Sequence, residues 1–470
     1  MNRRAFLAVT AGSLTALAGC TGEDGTDTRN ATPTDTPPAD TRTQTDTPSS
    51  GTSTETPAGP ETTVESTERL IDDMAAGRFD RAYERFESSR RVSPGAIEAV
   101  WLAATNVGGA FEGIAKTEEG VQSGFDVVDT TLGFERGNHT VRAVIGDDLA
   151  IAGVVVNDEY ERPEYVDRDA FRAEQTTVET GDCLMDATVT VPDGGGDRPG
   201  VVLVHGSDPV GAADRNLETG GSQVFRDLAE GLSSWGVAVL RYDRRTHACP
   251  NSVPPAEYTL DAVTVDDPLV AVEQLRGVDG VDPDRVAVAG LSLGAMAVPR
   301  IARRDGDLAG GVALAAPARP FHEIFIDQYE HLATVGEYEW ERMATLYERW
   351  RDRIDRIRQG DYNESDIVLG YPGALWDSVK AYDQIDTARD IETPLLFLQG
   401  DRDYQVSVEE DFGRWQTELA ERPATDFRRY EGLNHVFQFG TGPSVPGEYA
   451  FRNSVDPLVV ADVGDWLTSL

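Results

Sequence analysis

The chain has 470 residues, 40% of them hydrophobic, so it can bury a substantial core and is long enough for two or three domains. Its 82 acidic and 42 basic residues leave a net charge of −40, which repels polyanions and excludes a nucleic-acid-binding protein. Nearly all the basic residues are arginines, the only lysines being Lys116 and Lys380. At molar salt the Debye length is about 3 Å, which screens this self-repulsion. The composition predicts a protein of a high-salt medium, with an ordinary acidic secreted protein as the alternative.

Cysteine usage limits the chemistry of the chain further. Three cysteines, Cys20, Cys183 and Cys249, are too few for a disulfide framework or a CxxC-type zinc cluster. Cys183 and Cys249 could pair, although their positions in the sequence say nothing of their distance in space. No metal site is predicted.

Residues 1–20 are typical of a targeting segment. Arg3-Arg4 followed by Phe6-Leu7 resembles the twin-arginine export signal, and Leu17-Ala-Gly-Cys20 resembles the lipobox of bacterial and archaeal lipoproteins. Elsewhere no apolar run reaches the roughly 18 residues that a transmembrane helix requires. We therefore expect an exported protein, held at the outer face of the cytoplasmic membrane by a lipid on Cys20. A soluble secreted protein with a coincidental cysteine is the alternative.

Two further regions precede the main body of the chain. Residues 21–63 are rich in Thr, Asp, Pro and Ser, cannot bury apolar surface and predict a disordered spacer. Residues 64–161 contain helix patterns at 70–86 and 96–104 and strand patterns at 124–135, 140–145 and 150–157, which predict a small α+β domain. This domain resembles the cone-shaped nuclear transport factor 2-like kind. His139 is expected to lie in a solvated turn.

From residue 171 to 470, apolar strands alternate with amphipathic helices. The strands are predicted at 186–191, 200–205, 237–242, 285–290, 310–315 and 394–400, and helices at 222–235, 265–276 and 295–304. This order predicts an α/β fold with a doubly wound, mostly parallel sheet. Between 318 and 393 the alternation stops and an aromatic-rich helical insertion predicts a cap. There Trp340, Met343, Tyr347 and Trp350 recur at helical spacing, and either line an acyl pocket or pack on the body.

The candidate nucleophile is Ser292, within Gly290-Leu-Ser-Leu-Gly294. A β-branched run precedes this motif and small helix-forming residues follow it, the strand-turn-helix context of a nucleophile elbow. Because glycine and serine are common, the motif alone arises by chance in about one such chain in five. The assignment therefore depends on finding an acid and a base later in the chain.

Both partners follow in the expected order. The strand at 394–400 leads into Gly400-Asp-Arg-Asp403-Tyr-Gln-Val, which matches the loop carrying the catalytic acid of α/β hydrolases and indicates Asp403, with Asp401 as the alternative. After another strand pattern at 427–430 comes His435, which alone among six histidines follows both Ser292 and the acid loop. His435 is the predicted general base.

Several motifs together resemble the α/β hydrolase superfamily. They are Gly-Leu-Ser-Leu-Gly, His205-Gly-Ser-Asp-Pro with Asp214-Arg-Asn, Arg241-Tyr-Asp-Arg-Arg-Thr246, Leu314-Ala-Ala-Pro-Ala-Arg319, Gly-Asp-Arg-Asp-Tyr-Gln-Val and Gly-Leu-Asn-His-Val-Phe. They are most similar to an esterase branch with serine aminopeptidase-type and dienelactone hydrolase-like proteins. Asp208, Asp243 and Arg244 lie at strand ends and are expected to form loop ion pairs.

The resemblance implies hydrolysis of a small-molecule ester through Ser292, His435 and Asp403, without a cofactor. It also implies that the backbone amides of Ser207 and Leu293 bind the oxyanion. The side chain of His205 is expected to be part of the scaffold. Two other functions stay open, a serine aminopeptidase-type peptidase and a surface binding protein without catalysis.

Overall fold

A computed structural model describes residues 62–88, 92–207, 214–335 and 340–470. The side chains of 340–346 are not described either, so those of Trp340 and Met343 lie outside the described part, as do Asp208, the targeting segment with Cys20 and nearly all of the 21–63 spacer. Within the described ranges, no helix is both long enough and apolar enough to cross a membrane.

The first unit of the chain packs three helices on a four-stranded antiparallel sheet of order β1-β2-β3-β4. Its elements are α1 (Thr63–Ala75), α2 (Phe79–Tyr83), α3 (Pro94–Gly108), β1 (Phe111–Gln122), β2 (Phe125–Phe134), β3 (Gly137–Ile145) and β4 (Ile151–Val156). The side chain of Ser93 caps α3 by accepting from the amide of Ala96, and Pro94 fits the first turn because it has no N–H to satisfy. The predicted small α+β unit is confirmed, whereas β1 was missed because its largely exposed side chains carry no apolar alternation.

The core of this unit is not made from its own residues alone. Alongside Leu70, Trp101 and Phe134 it contains Val445 and Phe451, which come from near the end of the chain. The expected solvated turn at His139 is wrong. His139 lies in β3, only 4% exposed, with Nδ1 2.7 Å from Asp158 Oδ2 and its ring edge-on to Phe451. Neither partner is close to it in sequence.

The second unit is built on an eight-stranded sheet of order β16-β15-β12-β11-β7-β10-β6-β5. The strands are β5 (Phe171–Thr180), β6 (Cys183–Pro192), β7 (Arg198–Val204), β10 (Ala238–Tyr242), β11 (Val281–Leu291), β12 (Gly310–Leu314), β15 (Leu395–Gly400) and β16 (Thr425–Tyr430). The six strands from β16 to β10 are parallel, and β6 pairs antiparallel with both β10 and β5. The predicted mostly parallel sheet is confirmed. Strand β5 was missed because most of its side chains are exposed at the sheet edge.

Helices cover both faces of this sheet. Strand periodicity of two sends Val201 and Leu203 of β7 into one core and Val202 and Val204 into the other. The remaining elements before the cap and after it are β8 (Glu218–Thr219), β9 (Ser222–Gln223), α4 (Val224–Ser234), α5 (Arg245–Ala248), α6 (Asp266–Arg276), α7 (Leu293–Asp305), α12 (Gly413–Glu418) and α13 (Pro457–Ser469). Helices α4 and α13 lie against the first core, and α6 and α7 against the second. Cys183 and Cys249 form a disulfide.

The insertion between β12 and β15 is mainly helical, as predicted. It contains α8 (Ile324–Thr334), α9 (Trp340–Gln359), β13 (Ile367–Val368), β14 (Tyr371–Pro372), α10 (Gly373–Lys380) and α11 (Gln384–Asp390). Its aromatic residues pack on one another, with the ring centroid of Trp350 4.0 Å from that of Tyr329 and 6.2 Å from that of Phe325. This cluster is continuous with the core of the second unit. Trp350 therefore packs on α8 of the insertion, within a cluster that joins the core of the second unit.

Candidate active site

Ser292 lies at a sharp turn between β11 and α7, and its side chain is nearly buried. Its backbone has φ of 58° and ψ of −116°, a left-handed conformation that is strained for a residue with a Cβ atom. The amide of Ser292 donates to the carbonyl of Leu314 at 2.9 Å, which ties the turn to β12. The elbow geometry predicted from the motif is therefore present.

Two glycines, Gly294 of the motif and Gly206 of the loop after β7, permit close backbone contacts around the elbow. A Cβ atom on Gly294 would lie 2.5 Å from the carbonyl oxygen of His205, and one on Gly206 would lie 3.2 Å from Cβ of Ser292. The loop after β7 therefore runs directly beside the serine. No side chain fits between them, which explains Gly206 and Gly294.

Replacing Gly290 by Ala is expected to lower the free energy of unfolding by about 1–3 kcal/mol, the usual cost of overpacking. Its Cβ would lie 2.3 Å from the carbonyl oxygen of Gly294, which cannot move without shifting α7. Urea denaturation measures the change. Gly195→Ala is the control, because a Cβ there meets no atom within 4 Å. Equal denaturation midpoints for the two variants would contradict the elbow packing.

The predicted acid and base are in direct contact. Nδ1 of His435 lies 2.8 Å from Oδ2 of Asp403, and both side chains are almost wholly buried. Because a carboxylate only accepts, Nδ1 carries the proton and Nε2 is left free to act as a base. The alternative acid, Asp401, instead accepts from the backbone amide of Gly432 at 2.7 Å.

Three further donors hold the Asp403 carboxylate. Oδ1 accepts from the amides of Gln405 at 2.8 Å and Val406 at 3.0 Å, while Oδ2 accepts from Nε2 of Gln399 at 2.9 Å. The sequence pattern did not lead us to predict that Gln399 contacts the acid. Its signal was a single polar residue near the end of the otherwise apolar strand β15, where a fully buried amide needs a partner.

Each of the four candidate residues follows one of the parallel strands. Ser207 follows β7, Ser292 follows β11, Asp403 follows β15 and His435 follows β16. Their loops therefore lie at the same edge of the sheet. Leu293 is the first residue of α7, so its backbone N–H belongs to the first turn, where the N–H groups have no hydrogen-bond acceptor within the helix. Ser207 is half-buried and is the last described residue before residue 214.

His205 is a scaffold residue, as expected. Its Nε2 donates to the carbonyl of Tyr242 at 2.6 Å, and its ring packs between Phe225 and Tyr242. Burial lowers the pKa of His205 to about 4, so the imidazole is neutral at pH 7. The ion pair expected at the strand ends is present for Asp243, whose Oδ1 lies 3.2 Å from Nη1 of Arg215.

A strained serine between strand and helix, a buried Asp–His pair and a mostly parallel sheet together are typical of α/β hydrolases. Residues 201–450 match the alpha/beta hydrolase family. The chain is also 32% identical over 416 residues to esterase EstD of Thermotoga maritima, a match that covers 84% of this chain and 96% of that protein. This chain belongs to the alpha/beta hydrolase family.

Two solved structures are also similar. An esterase of Pyrococcus furiosus is 18% identical, covering 67% of this chain and 97% of its own, with a TM-score of 0.39. Est1E from Butyrivibrio proteoclasticus is 14% identical, covering 63% of this chain and 98% of its own, also with a TM-score of 0.39.

Proposed function

We propose that this protein is a serine hydrolase that cleaves carboxylic esters through an acyl-enzyme on Ser292. The observation that carries the proposal is the buried hydrogen bond of 2.8 Å between His435 and Asp403, at the sheet edge that also bears the elbow. Membership of the alpha/beta hydrolase family and similarity to an esterase from Thermotoga maritima support it.

In the proposed reaction, Oγ of Ser292 attacks the acyl carbon while Nε2 of His435 takes its proton. Asp403 holds the imidazole in the required tautomer and stabilises the imidazolium. The amides of Ser207 and Leu293 donate to the oxyanion, and the amino end of α7 adds a favourable dipole. The alcohol leaves with the proton from His435. Water, deprotonated by His435, then attacks the acyl-enzyme, which releases the acid and regenerates Ser292.

A fluorophosphonate probe and a panel of nitrophenyl esters test this proposal. The purified protein is expected to hydrolyse short-chain esters and to carry one probe adduct, located on Ser292 by peptide mass spectrometry. Aminoacyl amides run in parallel separate an esterase from a serine aminopeptidase-type enzyme. A protein that neither takes up the probe nor turns over any ester would instead be a binding protein.

We further infer that the enzyme is exported, anchored through a lipid on Cys20 and adapted to high salt. The twin arginines, the Leu17–Cys20 motif and the net charge of −40 support this setting. The Cys183–Cys249 disulfide agrees with an oxidising compartment. Cys20→Ser is expected to release the protein from the membrane fraction, and Tm is expected to rise with NaCl. Retention of the variant in the membrane would refute the lipid anchor, and a salt-independent Tm would refute the adaptation to high salt.

A further inference from the structure

The segment from Thr441 to Arg452, which follows the catalytic-base loop, lies against the N-terminal unit. The amide of Thr441 donates to the carbonyl of Asn106 at 2.9 Å, and Nδ2 of Asn106 donates to the carbonyl of Pro443 at 2.6 Å. Val445 and Phe451 are inserted into the core of that unit. The segment is therefore fixed by a part of the chain more than 300 residues away.

At the centre of this segment is Glu448, whose side chain is only 1% exposed. Its carboxylate accepts from five donors, which satisfy a buried charge that would otherwise be costly. The donors to Oε1 are Nη2 of Arg402 at 2.7 Å, Nδ2 of Asn106 at 2.9 Å and the amide of Val445 at 3.2 Å, and those to Oε2 are Nδ2 of Asn434 and Oγ of Ser444, each at 3.3 Å.

One of these donors, Asn434, shapes the turn that carries His435. Its Oδ1 accepts from the amides of Val436 at 3.2 Å and Gln438 at 3.1 Å. Those bonds require the amide oxygen to face the turn and the amide nitrogen to face away. Because a carboxylate only accepts, Glu448 selects this orientation of Asn434.

Another donor, Arg402, immediately precedes Asp403. Its guanidinium donates to the carbonyls of Gly442 at 2.8 Å and Thr441 at 3.0 Å, in addition to Glu448. Its backbone amide donates to the carbonyl of Leu433, next to the base turn. The acid loop and the base turn therefore meet at the same buried carboxylate.

We propose that Glu448 is a positioning residue which, held by Asn106 of the N-terminal unit, sets the placement of His435 relative to Asp403. This inference rests on the proposed function, since it assigns the N-terminal unit a role in the same reaction. Glu448 touches neither substrate nor the reacting atoms in this scheme. It acts through Arg402 and Asn434.

Glu448→Gln tests the proposal with almost no change in size. The side-chain amide introduced at position 448 has only one acceptor oxygen. In either orientation its nitrogen must therefore face one of the donors that now bind the carboxylate. We expect kcat for a nitrophenyl ester to fall about 100-fold, the effect of a misplaced catalytic group, with KM within about twofold of wild type. Asn106→Ala removes the hydrogen bond that the N-terminal unit donates to Glu448, and it is expected to lower kcat about tenfold.

A rescue variant separates positioning from general loss of stability. Adding Asn434→Asp to Glu448→Gln exchanges donor and acceptor, because the amide at position 448 then donates to one carboxylate oxygen at position 434. The other oxygen still accepts from the amides of Val436 and Gln438. The double variant is expected to recover at least tenfold in kcat over Glu448→Gln, measured well below the lowest Tm of the set.

The matched control is Glu230→Gln, which removes another buried carboxylate, 7% exposed, whose partners Arg162 and Arg226 lie in the linker after β4 and on α4. It is expected to lower Tm while leaving kcat within about twofold. An equal loss of kcat in this control and in Glu448→Gln would overturn the proposal.

Hydrogen exchange gives a readout that does not depend on catalysis. Peptides spanning 432–440 are expected to exchange faster in Glu448→Gln and in Asn106→Ala than in wild type, with no such change in Glu230→Gln. Unchanged exchange there, or wild-type kcat in Asn106→Ala, would overturn the role of Glu448. A wild-type protein without esterase activity or probe labelling, but with these exchange differences, would refute the proposed function alone.

Discussion

Ser292→Ala is expected to abolish ester hydrolysis, lowering kcat by about 10⁴-fold or more, and to eliminate fluorophosphonate labelling. Alanine removes the only atom that forms the acyl bond, while the backbone of the elbow, with its amide bonded to the carbonyl of Leu314, is retained. The strained φ of 58° is no more costly for alanine than for serine. Folding should therefore be preserved, and the loss can be assigned to chemistry.

Steady-state kinetics and in-gel labelling measure this result. Ser234→Ala serves as the control, because Ser234 ends α4 and its Oγ donates to the carbonyl of Glu230 at 2.8 Å. That variant should be labelled and should turn over esters at the wild-type rate. Substantial turnover by Ser292→Ala would remove Ser292 from the proposed mechanism.

Asp403→Asn is the second variant with a large expected effect, a fall in kcat of about 10⁴-fold with little change in KM. The amide can donate to Nδ1 of His435, which stabilises the tautomer whose Nε2 is protonated and cannot accept from Ser292. In that orientation the amide nitrogen also faces Nε2 of Gln399, which now donates to Oδ2 of Asp403 at 2.9 Å, so two donors meet.

Asp401→Asn is the matched control, two residues away in the same loop. Its oxygen can still accept from the amide of Gly432, now at 2.7 Å from Asp401 Oδ1, so kcat is expected to stay within about threefold of wild type. If the control lost activity and Asp403→Asn kept it, the catalytic acid would be Asp401.

The sheet and the elbow were predictable because their causes are local in sequence. Strands such as β7 and β11 are buried on both faces and appear as apolar runs, and Gly290 is required by its contact with the carbonyl of Gly294, four residues away. The candidate acid and base could be predicted because each lies in the loop that follows a strand. Chain order then left one candidate histidine.

What could not be predicted depends on contacts between distant residues. Strands β1 and β5 have mostly exposed side chains, so no apolar alternation marks them. The sequence around His139 is typical of a loop, and the packing of Phe451 on its ring depends on a residue near the end of the chain. The link from Glu448 to the N-terminal unit and to the acid loop has no local signal, because Asn106 and Arg402 lie 342 and 46 residues away. A single sequence contains no pattern for such pairs.

The insertion of Val445 and Phe451 into the core of the N-terminal unit also has a consequence for biosynthesis. Domains generally fold in order as they leave the ribosome. Here the first unit to emerge cannot close its core until the residues after His435 have been translated. The two units must therefore complete folding together, late in synthesis, and a nascent chain that stops short of Phe451 would leave the N-terminal core open to water.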